Sequence, residues 1–395
     1  MSTESPIFLS KVECPICKTV NEFECIKVGA YVEKEHDTDF CPSERDWQNA
    51  KYALVNPLLY FMATCENCYY TREFKPSFRD WKNDTRFRTY QQKKIQASHL
   101  TKLAEEGSVL RMLGGARDPQ QAPFPTAVAK FLLGIYDELL LERPRKLDLG
   151  RFFLRIGWLY REHNANSQKP VNHAALYARD IEKAYIRLKG SQENFENNLT
   201  NVSHLVEEQF KMAGSASPGG EFLAIQDSFR DSLEELKLLQ QQLQNSLNGL
   251  SQSVQNNREV VSNVSCGDGG DCIPFGDYPS FQEFMAALKK KWEYVPNSEM
   301  EALLFAIEFY RAALEEGHEV QPGNQQIQAT YLIAELSRRV GRNEEARQFF
   351  NNAIKVGQQF VFEHRGDKTR TALAQRILEL ALSQGKQNLA AASNR

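Results

Sequence analysis

The sequence predicts a mainly α-helical protein with a small N-terminal α+β module of zinc-ribbon type. Its tetratricopeptide-like helical body is interrupted by a long antiparallel coiled-coil hairpin. Three observations predict this. Six of eight cysteines fall at or before Cys68, four of them as two Cys-x-x-Cys pairs. From about Pro125 onward, apolar residues recur at helical spacing. A heptad pattern then runs twice through the middle of the chain, on either side of a Gly/Ser/Pro turn. At 395 residues, 42% hydrophobic and 25% charged, the composition excludes a fibrous or wholly disordered chain. The net charge of −3 gives no general attraction to nucleic acid or anionic lipid. No run reaches the roughly 18 apolar residues of a membrane span, and the first residues lack the layout of a secretory signal. A cytoplasmic setting is expected.

The cysteines carry the first functional signal. In a reducing compartment, clustered cysteines at two-residue spacing read as metal ligands rather than disulfides. Cys14-Pro15-Ile16-Cys17 and Cys65-Glu66-Asn67-Cys68 each form a knuckle whose tight turn aims two sulfurs at one ion. Together Cys14, Cys17, Cys65 and Cys68 supply the soft, closed donor set of a structural zinc site. The 47 residues between the pairs exceed the 15–20 of a simple ribbon, so they must hold structure of their own. The run 53–64 reads as a turn at Asn56-Pro57 followed by a buried strand, and 22–32 as a partner strand. Such a zinc ion organises a domain too small to hold itself, with apparent binding of about 10–16 kcal/mol in comparable peptides. Two other readings are open: coincidental free thiols, and a redox pair, although the βαβ context of thioredoxin-type sites is missing.

His36-Asp37-Thr38-Asp39-Phe40-Cys41 is ambiguous. Cys41, His36 or Asp39 is a possible extra ligand or water activator. In the plainer reading the carboxylates cap a turn and Cys41 packs as a small hydrophobe. Cys25, in an alternating strand, reads as core.

Taken in order, Cys14-Pro15-x-Cys17, Asp37-x-Asp39-Phe40-Cys41, Asn56-Pro57 with Tyr60, and Cys65-x-x-Cys68-Tyr69 resemble the bacterial family known as domain of unknown function 2225. The resemblance is specific over about residues 10–80 and loose to about 190. It implies a double-knuckle module joined to a tetratricopeptide-like helical remainder, and it implies no reaction. Where the family pattern has a glycine after the second knuckle, this chain has Tyr69, which is expected to change the turn but not the ligands.

The stretch Arg72–Lys102 holds nine Lys/Arg against three acids, interleaved with Phe74, Phe78, Trp81, Phe87 and Tyr90. Phosphate attraction and base stacking would suit nucleic acid. A solvated helix with its aromatics buried against the zinc module explains the pattern equally simply.

In the helical body, Phe153, Ile156, Gly157 and Tyr160 match helix A of a tetratricopeptide repeat, with 174–188 expected as its partner helix. A clearer match covers 330–356, with Gly341 at the turn and Ala346, Phe350 and Ala353 at the small-large-small positions of helix B. Residues 299–316 add an amphipathic helix, and 371–383 cap the stack. The heptad seams run from Ala174 to Ala213 and from Phe222 to Val261. Folded about the turn, they place Gln209 opposite Gln226 as a shared polar layer. The result is a two-helix arm roughly 60 Å long at 1.5 Å per residue, expected to project, with a hairpin folded back onto the repeats as the alternative, and able to self-associate. Cys266, Asp268, Asp271 and Cys272 lie in a loop without the ligand spacing of an EF-hand, and it reads as a connector.

The expected divisions are a zinc-binding module with its basic helix (10–120), a first helical block (121–190) and the arm (191–263). A loop (264–279), a second helical block (280–385) and a flexible tail (386–395) follow. No phosphate-binding loop, nucleophile elbow, zincin motif or dinucleotide fingerprint occurs. The leading expectation is a protein-binding scaffold or adaptor with a structural zinc and no catalytic residues. The alternative is nucleic-acid binding through 72–102. A hydrolase-type activity around His36, Asp39 and Cys41 is the least supported reading.

Overall fold

The computed structural model describes residues 5–49, 52, 55–167, 173–213, 220–265 and 274–393. It divides into two compact units, one comprising Met1–Lys169 with Pro274–Arg395 and the other Pro170–Ile273. The protein is mainly helical, with a small N-terminal strand region. The turn at 214–219 and the loop bearing Cys266, Asp268, Asp271 and Cys272 lie outside the described residues.

Among the described residues of the first unit, six strands form three separate antiparallel ribbons. β1 (Ile7–Glu13) pairs with β2 (Val20–Ile26), so the first knuckle is the tip of a hairpin. β3 (Tyr31–His36) pairs with β4 (Pro42–Trp47), and residues 37–41 form its loop. β5 (Met62–Thr64) pairs with β6 (Thr71–Glu73) around the second knuckle. The expected pairing between 22–32 and the strand before Cys65 therefore does not form. Each knuckle's own turn folds its flanking strands together, and a local partner has the smaller loop-closure entropy to overcome. Asn56 accepts the Leu58 N–H and Pro57 starts a short 3-10 turn. Only three residues of the expected strand remain extended.

The helices follow the apolar periodicity. α1 (Gln92–Ala104), α2 (Val109–Gly115) and α3 (Pro123–Leu139) lead into α4 (Lys146–Ser167). After the second unit come α7 (Phe281–Lys289), α8 (Glu299–Glu316), α9 (Asn324–Arg339), α10 (Asn343–Glu363) and α11 (Lys368–Ser393). Gly157 does sit at a close helix crossing, and the helix there is α8: a Cβ at Gly157 would lie 2.8 Å from Leu303 Cδ2. Gly341 turns at φ 80° between α9 and α10. Ala346, Phe350 and Ala353 are buried on the α9-facing side of α10, where small residues let the helices approach. The tail expected from 386 is helical to Ser393, because Asn388 Nδ2 donates to Asn343 O at 2.8 Å.

The module is not a free-standing bead. Leu59 and Met62 share one core with α2, α3, α4 and α8. A second core gathers the knuckle cysteines with Phe74, Phe78, Trp81, Phe87 and Ile95. Four of the five aromatics in the basic stretch are thus interior, and Tyr90 alone is largely exposed.

The second unit consists of α5 (His173–Ala213) packed on α6 (Gly220–Ser265). Leu199, Leu233, Leu247 and Gln192 are buried, whereas Phe195, Val202, Leu236 and Leu243 remain 39–48% exposed. Among the described residues only part of each seam is sealed, since two helices alone cannot cover both flanks of a two-residue stripe. The expected Gln209–Gln226 layer is replaced: Phe210, one residue on, packs on Phe222 and Phe229 at ring distances of 5.8 and 6.0 Å.

Candidate metal centre

The two knuckles have the same backbone geometry. In the first, Lys18 N donates to Cys14 O and Cys14 N to Thr19 O. In the second, Tyr69 N donates to Cys65 O and Cys65 N to Tyr70 O. Each requires a left-handed residue at the same point, supplied by Lys18 at φ 65° and Tyr69 at φ 63°. Tyr69 therefore preserves the turn it was expected to change. A left-handed non-glycine residue costs roughly 1–2 kcal/mol, offset here by packing. The ring lies so close over Gly114 that a Cβ there would come within 2.2 Å, and the Arg117 guanidinium is 5.6 Å from the ring centre.

The fold brings all four predicted sulfurs together. Cys14 and Cys68 are 3.7 Å apart, Cys17 and Cys65 3.5 Å, and the whole set lies within 4.8 Å. No disulfide joins any described cysteine, and the separations far exceed the 2.05 Å of an S–S bond. They match the ~3.8 Å edge of a tetrahedron built on zinc–sulfur bonds of about 2.3 Å. Three of the sulfurs belong to fully buried residues, and Cys17 is partly covered. Donors aim at them: Ile16 N lies 3.4 Å from Cys14 Sγ, and Asn21 Nδ2 lies 3.5 Å from Cys65 Sγ. Hydrogen bonds among the sulfurs lower the Cys65 thiol and raise those of Cys14 and Cys68. Burial pushes the Cys17 thiol up, but hydrogen bonding with Thr19 and Asn67 outweighs it, so Cys65 and Cys17 ionise more easily while Cys14 and Cys68 resist. A central cation removes that resistance, so the cluster can hold a metal ion.

Two supports were invisible to sequence reasoning. Asn21 also accepts the Glu66 N–H at 2.9 Å, tying the knuckles to each other. His99 on α1 donates through Nε2 to Cys68 O at 2.8 Å while Nδ1 meets Asp137 of α3 at 2.6 Å. Asp137 in turn accepts Thr71 N at 2.7 Å, and both side chains are buried. No spacing rule links Asn21, His99 and Asp137, which lie on three different elements.

Cys41 is absent from the sulfur cluster, so the possible fifth ligand is not placed there. Its loop is held elsewhere in the same unit. Asp39, fully buried, accepts from Arg161 Nη2 at 2.7 Å and Nη1 at 3.0 Å, from Trp158 Nε1 at 3.1 Å and from Cys41 N at 3.3 Å. Asp37 meets Arg161 and Arg339 at 3.0 and 2.7 Å. Tyr331 donates to Thr38 O at 2.7 Å, and Phe40, at φ 65°, sets its ring 5.6 Å from that of Tyr331. His36 is taken up by Glu33 of its own strand. Burial pushes the Cys41 thiol up to about 12, leaving it protonated and inert at neutral pH. The motif clamps the β3–β4 hairpin to α4 and α9. Elsewhere Glu316, His318 and Glu319 also converge, but Lys146 and the Leu147 N–H already engage the two carboxylates.

A mainly helical chain with an N-terminal four-cysteine cluster able to hold a single ion is the class that fold and site define. Within that class, this chain belongs to the bacterial family described as "Uncharacterized protein conserved in bacteria (DUF2225)", whose model matches residues 7–213 and 278–371. The match extends well beyond the stretch that carried the resemblance. No curated protein and no solved structure matches the chain.

Proposed function

We propose that the protein is a non-catalytic interaction scaffold in which Cys14, Cys17, Cys65 and Cys68 hold a structural zinc ion. The observation that carries the metal is the sulfur geometry: four donors at tetrahedral spacing, inside a core, leave no vertex for water or substrate. Zinc suits an all-thiolate tetrahedron, and among the described residues no helix is long and apolar enough to cross a membrane. A reducing, cytoplasmic setting suits these unpaired thiols.

The adaptor role rests on the helical parts. The α9–α10 pair around Gly341, with its small-large-small contact, supports a tetratricopeptide-like body. The Phe210 packing supports an antiparallel coiled-coil arm formed by α5 and α6, and its half-exposed Phe195, Val202, Leu236 and Leu243 favour self-association through the arm. Metal analysis beside Cys65→Ser tests the zinc. Affinity capture from the native cell, with the full chain and with 191–263 replaced by a short linker, tests the adaptor. Failure to recover any partner reproducibly with either form would end that reading. Nucleic acid remains the second reading, narrowed by the burial of Phe74, Phe78, Trp81 and Phe87.

A further inference from the structure

A cavity of about 280 Å³ opens between α4, α8 and α9, beside the 37–41 loop. It lies at the lower edge of the roughly 300–1,000 Å³ typical of small-molecule sites. Phe40, Leu154, Trp158 and Leu332 supply apolar wall, and Gln325 and Gln328 present amides. Its charged lining is Arg145, Arg151, Arg155, Asp39 and Asp148.

The pairing of those charges is uneven. Asp39 is engaged by Arg161. Asp148 is shared by Arg145 and Arg151 at 3.0 and 2.9 Å. Glu73, outside the lining, stands 3.7 Å from Arg151. Arg155 has neither an ion pair nor a hydrogen bond among the described residues. Its Nη1 has no acceptor and its guanidinium stacks 4.1 Å from the Phe61 ring centre, while the residue as a whole is only partly buried and lines the cavity. Burial lowers its pKa to about 10, so it still carries its charge at neutral pH. Glu73 and Asp148 favour its charge only without direct contact, and a correctly placed anion would supply the missing partner.

We infer that this cavity is a binding site for a small organic carboxylate with an apolar body, its charged end on Arg155 and its body between Trp158, Phe40 and Leu332. One unmatched guanidinium suits one negative charge. A phosphate monoester would bring nearly two. The carboxylate belongs either to a free acid or to the terminus of a peptide, and the test separates them. This site is independent of the zinc and adaptor readings.

The test is calorimetric titration of the full chain with 3-phenylpropionate and with its primary amide, then with a short peptide ending in Phe, as free acid and as amide. The expected result is saturable one-to-one binding of an acid, at least tenfold tighter than its amide, since a charge-assisted hydrogen bond is being lost. Arg155→Met should weaken that binding tenfold or more without lowering the melting temperature, because it removes an unpaired, partly buried charge. Gln328→Trp, which fills the cavity from α9 and keeps Arg155, should abolish it. Binding of the free acid assigns a small-molecule source, and binding of the peptide acid alone assigns a chain terminus. Equal affinity for acid and amide, unchanged affinity in a folded Arg155→Met protein, or no saturable binding by any probe up to about 10 mM would overturn the inference.

Discussion

Replacing Asp39 by Asn tests how the β3–β4 hairpin is held. The change is nearly isosteric, so packing around residue 39 is preserved and electrostatics alone are altered. Asp39 accepts four hydrogen bonds, two from Arg161 and one each from Trp158 and Cys41. An amide keeps one acceptor oxygen and turns an N–H₂ group toward donors at the other. Bonds to charged groups contribute about 1.5–3 kcal/mol each, and breaking a buried pair by neutralising one partner costs about 3–5 kcal/mol. Asp37 and Glu299 still contact Arg161, which places the expected loss at the lower end, about 3 kcal/mol. At roughly 1.5–2 °C per kcal/mol for a unit of this size, the melting temperature should fall by roughly 4–6 °C. Differential scanning calorimetry of the metal-loaded protein measures this. Arg161→Met combined with Asp39→Asn completes a double-mutant cycle, and coupling of at least about 1 kcal/mol is expected. An Asp39→Asn protein within 1 °C of wild type, or a cycle with no coupling, would refute the clamp.

Four further outcomes are expected. The purified chain should carry about one zinc ion, lost in Cys65→Ser, and chelation should lower the melting temperature of the wild type alone, as read by metal analysis and calorimetry. Gly114→Val should destabilise by roughly 1–3 kcal/mol because its side chain collides with the Tyr69 ring over the second knuckle; denaturant titration measures it, and an unchanged midpoint would contradict that packing. Burial pushes the Asp37 carboxyl up, but the Thr38 N–H and then Arg339 and Arg161 outweigh it and hold it below the usual carboxylate range. Its stabilisation is therefore complete above about pH 4 and is lost as pH falls below that, so Asp37→Asn should flatten the acid limb of the stability profile. Neutralising Arg86, Arg88, Lys93 and Lys94 together should leave the melting temperature within about 1 °C; salt-sensitive heparin retention that vanishes in this variant would instead favour nucleic-acid binding.

Much of the site could be read from local chemistry. A Cys-x-x-Cys turn is short-range, so Cys14, Cys17, Cys65 and Cys68 were nameable as one set before any contact was known. Gly341 with Ala346, Phe350 and Ala353 is likewise a local pattern, and so is the cap at Asn56. Register was less accessible. A pattern that alternates steps of three and four admits neighbouring seams that differ by one residue, and at 209–210 the larger ring took the interface from the amide.

Periodicity, turn chemistry and ligand spacing determined the helices, the two knuckles and the four sulfurs, because each is set by residues within a few positions of one another. Only the tertiary structure decided that Asp39 serves α4 rather than a metal, that His99 and Asp137 brace the second knuckle, and that Arg155 lines a cavity with no ion pair or hydrogen bond among the described residues. Those outcomes depend on which distant side chain arrives at a given point, and on the free energy of leaving a buried charge or donor unmatched. That quantity belongs to the assembled core and to no segment of the chain.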